Sequence, residues 1–97
     1  MFREIKWSSR AVYEWADILD YWTNRNKSYS YSIKLNRLFR EKFALVAKSP
    51  GIGKLTDFPL VRIKIIRDYL VYYRVTPEYI EILTIWDSRR NPKKFKL

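Results

Sequence analysis

The chain has 97 residues, with no cysteine and no histidine. Without cysteine there are no disulfides and no thiol nucleophiles. Without histidine there is no imidazole acid–base catalysis, and the two absences together remove zinc sites of the usual nitrogen–sulfur kind. No metal or other cofactor is expected. Glycine occurs only twice, at Gly51 and Gly53, where both follow Pro50 and permit a turn. No apolar run approaches the ~18–20 residues needed to span a bilayer, and the N-terminus lacks a secretory pattern. The expectation is a cytoplasmic protein with no membrane association, a setting that the lack of cysteine also suits.

Apolar residues make up 47% of the chain and aromatic residues 18%. That is enough for one core without a metal or disulfide, so residues 1–97 read as a single domain. Charge is the other resource. Twenty Lys and Arg against ten Asp and Glu give a net +10. Arg89, Arg90, Lys93, Lys94 and Lys96 lie in the segment 88–97, where no acid offsets them, and they supply half of that excess. A basic tail of this density favours phosphate backbones or an acidic protein partner over a neutral surface. Its plainest alternative is a solvated tail that aids solubility.

The pattern along the chain predicts the elements. Phe2 to Trp7 largely alternates apolar and charged residues, as a half-buried strand does. Ser8 or Ser9 can cap a helix whose apolar stripe is Ala11, Trp15, Ile18, Leu19 and Trp22, with Arg10 and Glu14 paired on its outer side. After a polar turn at 24–28, a second helix is predicted from about Ser30 to Lys48, burying Leu35, Leu38, Phe39, Phe43 and Val46. Pro50 ends it by disfavouring helix at Ser49. Residues 51–60 read as a loop.

Three strands follow. In the first, Val61, Ile63 and Ile65 are expected on the core face, with Arg62 and Lys64 on the open one. Asp68 marks a tight turn into Tyr69–Val75, Pro77 suits the next turn, and Ile80–Trp86 closes a meander. The predicted class is α+β, in the order β-α-α-β-β-β, with a helical hairpin packed on one face of a mainly antiparallel sheet. Asn91-Pro92 would stop the last strand and turn the tail outward.

The Ser8-x-x-Ala11 helix opening, the Lys48-Ser49-Pro50-Gly51 stop, the Val-Arg-Ile-Lys strand, the Tyr-Leu-Val-Tyr-Tyr-Arg-Val strand and the Arg-Arg end of the last strand together resemble the RelE/ParE superfamily of toxins from bacterial type II toxin–antitoxin systems. The resemblance covers nearly the whole chain. It implies a cognate antitoxin as partner and, as target, either DNA gyrase (the ParE-like branch) or ribosome-bound mRNA (the RelE-like branch). For the nuclease branch, Arg62, Lys64 and Arg89 match the cations that would stabilise charge developing on the phosphate. For nucleic-acid or partner binding the candidates are Arg62, Lys64, Arg74, Arg89, Arg90, Lys93, Lys94 and Phe95.

Two departures count against the nuclease. Tyr69 is followed by Leu70 where RelE-like chains carry arginine. The tail offers Phe95 where they carry a tyrosine. Asp87, Arg89, Asn91 and Pro92 form an Asp-x-Arg-x-Asn-Pro run that looks more like ParE-like tails. The ParE-like reading is favoured, with the mRNA endonuclease and a non-toxic, antitoxin-binding member of the fold as alternatives.

Overall fold

The computed structural model describes residues 2–90 and 92–97; Asn91 and the strand stop expected there lie outside the described residues. The elements are β1 (Glu4–Trp7), α1 (Ser9–Asn26), α2 (Ser30–Lys48), β2 (Lys54–Leu55), β3 (Val61–Ile66), β4 (Tyr69–Val75) and β5 (Tyr79–Asp87), with 3-10 turns at Pro50–Ile52 and Pro92–Lys94. This is the expected order with one addition. The two-residue β2 falls inside the segment read as a loop, and it pairs antiparallel with β3. A pair this short carries no periodicity for a sequence to display. The sheet order is β1-β5-β4-β3-β2, antiparallel except for the parallel β1–β5 pair.

Local chemistry sets the helix ends. Ser8 is the N-cap of α1: its Oγ accepts the Ala11 N–H at 3.0 Å, and its hydroxyl donates to the Leu83 carbonyl at 2.7 Å. One residue therefore satisfies a helix-end amide and ties α1 to β5. At the far end Lys27 takes the left-handed conformation, φ 54°, and donates its N–H to the Thr23 carbonyl. Glycine usually occupies that position, because a side chain there is strained.

The core lies between the helical hairpin and one sheet face. Ala11 and Trp15 of α1, and Leu35, Phe39, Phe43 and Val46 of α2, are buried against Val71, Tyr73, Ile80 and Ile82. Phe39 is the hub. Its ring lies 4.9 Å from Trp7, 4.6 Å from Trp15 and 4.8 Å from Phe43, joining β1, α1 and α2. Phe43 in turn meets Tyr73 edge-on at 5.6 Å.

Glu14 does more than pair with Arg10. Its Oε1 accepts both the Thr84 hydroxyl at 2.7 Å and the Ile85 N–H at 3.0 Å, while Oε2 meets Arg10 at 3.3 Å. The β4–β5 register places Tyr72 opposite Thr84 but Tyr73 opposite Ile82, so Leu83 is an extra, bulged residue. The bulge lies beside the two groups that Glu14 holds. A helix carboxylate thereby satisfies a hydroxyl that is fully buried.

The face assignment of β3 is corrected. Arg62 is opposite Tyr73, and Lys64 opposite Val71; Ile63 and Ile65 are opposite Tyr72 and Leu70. Directly paired residues project to the same side. Arg62 and Lys64 therefore share the helix side of the sheet, and Ile63 and Ile65 lie on the open side. The register is set by Tyr69, Val71 and Tyr73, each at most 3% exposed. These side chains need cover from the helices, and pairing carries their partners with them.

Replacing Phe39 by Ala should cost about 3–5 kcal/mol by emptying the aromatic hub; urea denaturation with an unchanged midpoint would show that the hub is dispensable. Lys27→Gly should raise stability by about 0.5–1 kcal/mol by relieving the left-handed strain, read as a higher thermal midpoint.

Candidate functional surfaces

The cations predicted to act do not converge on one point. Arg62 donates to the carbonyls of Gly51 at 3.2 Å and Gly53 at 2.8 Å. It closes the turn after α2 together with Tyr73, whose hydroxyl donates to the Pro50 carbonyl at 2.8 Å and accepts the Gly53 N–H at 3.0 Å. A Cβ on Gly53 would sit 2.2 Å from that hydroxyl, so close approach demands glycine here. Lys64 lies one strand pair further along. Arg74 is on the open side, 3.4 Å from Glu81.

Arg89 follows the other end of β5. Its guanidinium grips Asp87 through Nε at 3.0 Å and a terminal nitrogen at 2.8 Å, and its backbone N–H donates to the same carboxylate at 2.9 Å. Asp87 faces Tyr69, while Arg62 faces Tyr73. These positions are four residues apart on β4, roughly 13 Å along a strand.

The hydrogen bond from Arg89 holds the Asp87 carboxyl below the usual carboxylate range, and the same pairing pushes the guanidinium up. Burial moves the hydroxyls of Tyr69, Tyr72 and Tyr73 above the ordinary tyrosine value, away from neutrality. None of these tyrosines is tuned toward proton transfer at neutral pH.

The open side of the sheet is largely apolar where β3, β4 and β5 meet. Ile63, Ile65, Leu70, Tyr72 and Trp86 share it by register. The tail folds back onto it. Phe95 stacks on Tyr72 with centroids 4.6 Å apart and meets Trp86 edge-on at 5.3 Å. Arg90 lies over the Trp86 ring at 5.8 Å. Phe95, expected as a free contact residue, is thus already engaged. Lys93 and Lys94 lie in the 3-10 turn just before it.

Two concavities lie on the helix side. A polar one of about 390 Å³ is lined by Glu14, Asp17, Tyr69, Asp87, Arg89 and Arg90. An apolar groove of about 680 Å³ runs between α1 and α2 beside β1, lined by Trp7, Val12, Ala16, Phe39, Arg40 and Ala44 among others. The sequence reading expected a partner segment across the basic sheet face and a groove beside the helical hairpin, but named no residue lining it. Its signal was Val12, Ala16 and Ala44, small or apolar residues off the main stripes. Among the described residues, no cluster of carboxylates is suited to a metal ion, and no helix is long and apolar enough to cross a membrane.

Comparison with known proteins bears on this architecture. Solved structures share the fold, among them two from toxin–antitoxin systems. One belongs to the chromosomal ParDE toxin–antitoxin system of P. aeruginosa, with a TM-score of 0.73, 20% identity, and 87% of this chain and 94% of the other covered. The second is from the E. coli DinJ–YafQ toxin–antitoxin complex, with a TM-score of 0.56, 8% identity, and 90% and 93% covered. Comparison with curated protein sequences returned no match. A family profile described as the ParE toxin of the type II toxin–antitoxin system parDE matches residues 5–92. The chain belongs to the ParE toxin family.

The Asp87–Arg89 clamp implies a pH dependence of known sign. A lowered carboxyl pKa contributes stability above the ordinary value near pH 4, lost as pH falls through the folded value. Asp87→Asn should flatten the acid limb of stability against pH. An unchanged limb would show that the clamp contributes nothing in solution.

Proposed function

We propose that this toxin stops bacterial growth by ParE-like poisoning of DNA gyrase in the cytoplasm, and that a cognate antitoxin neutralises it. The observation that carries the choice of target is the dispersal of the cations. Arg62 serves a turn, Arg89 serves Asp87, and the strand positions across the open face carry Ile63, Ile65 and Leu70. Phosphoryl transfer without a metal needs cations converging on one phosphate, and developing charge is stabilised only by groups aimed at it. Poisoning by surface binding makes no such demand. The alternatives are a RelE-like cut in ribosome-bound mRNA, which would enlist Arg62, Lys64 and Arg89, and a non-toxic member of the fold.

The apolar groove between α1 and α2 supports the antitoxin assignment. An amphipathic segment laying its apolar face against Trp7, Val12 and Ala16, with an acidic residue toward Arg40, fits both its shape and its charge. The two solved structures named above come from toxin–antitoxin systems.

Brief induction in bacteria, following labelled thymidine and methionine incorporation together, tests the target. Thymidine incorporation should fall first, with an SOS response. An early collapse of methionine incorporation alone would instead establish the mRNA-cleaving reading, and no change in either would establish a non-toxic member. Ala44→Arg should weaken antitoxin binding by about tenfold or more by titration calorimetry, since it places a charge in a groove built for apolar burial. Equal affinity would move the antitoxin to another surface.

A further inference from the structure

The open side of the sheet joins two features that the toxin reading leaves unused, a row of cations and an aromatic anchor. The tail is pinned twice. At its start Arg89 is clamped to Asp87 in three hydrogen bonds. Near its end Phe95 is held between Tyr72 and Trp86. Lys94, next to Phe95, is therefore held at the sheet. Lys94 and Lys96 are exposed; Arg90 lies over Trp86 and also borders the concavity that holds Glu14 and Asp17, and Asp87 at the strand end is already paired.

The sheet adds to this charge. Lys54 lies opposite Ile63 and Lys6 lies across the same side, where Arg74 is offset by its pairing with Glu81. Of the carboxylates placed there by register, Glu81 is paired with Arg74, leaving Glu4 at the far edge. The helix side differs: α1 presents Glu14, Asp17 and Asp20, so its charge is mixed.

We infer that the open face and its tail form a docking surface for the phosphate backbone of duplex DNA, with Phe95 as the anchor that holds the tail cations in place. The aromatic rings argue for backbone over bases. Tyr72, Phe95 and Trp86 are engaged with one another, and Arg90 covers Trp86. A single-strand binder instead leaves ring faces open for bases to stack on. What remains available is fixed positive charge. That favours the duplex, with one negative charge per ~1.7 Å of axis. Holding the cations in one arrangement lowers the ordering cost of binding.

This inference does not depend on which target the toxin poisons. Binding is read on the purified chain and toxicity in cells, so one can fail while the other stands. The test is fluorescence polarisation of the purified full chain with a labelled duplex of about 20 base pairs and the matching single strand, between about 50 and 200 mM salt. The duplex should bind more tightly. Lys94→Ala with Lys96→Ala should reduce the slope of log affinity against log salt by about 2. Phe95→Ala, checked for its fold by near-ultraviolet circular dichroism, should weaken binding roughly threefold or more, with recovery in Phe95→Tyr. Lys34→Ala with Arg37→Ala on α2 removes the same charge elsewhere and should leave the slope nearly intact.

Equal loss of slope in the two double variants would overturn the surface, reducing it to general attraction by a basic protein. Tighter binding of the single strand, or indifference to Phe95, would overturn the assigned ligand and the anchor respectively. Displacement of the duplex by poly-glutamate at equal charge concentration would reassign the face to an acidic protein.

Discussion

The fold depends on one buried ring. Phe39 contacts Trp7, Trp15 and Phe43 within 4.6–4.9 Å, so a single side chain of α2 binds the first strand and the first helix to the second. The rings carry most of the contact area in this layer, and offset or tilted arrangements add specificity of geometry to simple burial. Because α2 is fixed at Phe39, Phe43 reaches Tyr73 at 5.6 Å. Tyr73 then closes the Pro50–Gly53 turn with Arg62. The sequence of contacts leads from the hub to the edge of the sheet, and it explains why a cation suited to phosphate chemistry is engaged in structure.

The packing also divides the molecule into two surfaces of different character. On the helix side, α1 and α2 diverge beside β1 and leave an apolar groove whose walls belong to the same residues that form the hub. A segment bound there would extend the core. The open side carries the end of the basic tail, held to the sheet by Phe95, while the Asp87–Arg89 clamp fixes its start beside the helix-side concavity. An apolar groove and a basic tail have no chemistry in common. On the function proposed above, this separation leaves one side for the antitoxin and the other for a target.

Much of this was legible in the sequence, and the reasons are local. Helix periodicity located α1 and α2, and Ser8 announced its cap through a hydroxyl that reaches only three residues ahead. Strand alternation located β3, β4 and β5 but misassigned the faces of β3. Val61, Ile63 and Ile65 are apolar on one side of an alternating strand, yet the pairing partner decides which side faces the helices. Tyr73 and Val71 outweighed Ile63 and Ile65 because they lie in the central strand, under the helices. The reach of Glu14 to Thr84 and Ile85 was equally hidden: Arg10 at helical spacing explains the carboxylate locally, and the bulge it serves lies 70 residues away.

The sequence by itself determined the order of the longer elements, the absence of histidine and cysteine chemistry, and the concentration of charge at the C-terminus. These are properties of composition and short-range spacing, and no tertiary contact can change them. Only the tertiary structure decided where the charges point. It placed Arg62 under the turn, Arg89 on Asp87 and Phe95 between Tyr72 and Trp86. The physical reason is that a strand offers two faces, and a tail many directions, at nearly equal local cost. Burial of distant side chains selects among them, and the sequence separation of those partners keeps the choice out of any local pattern.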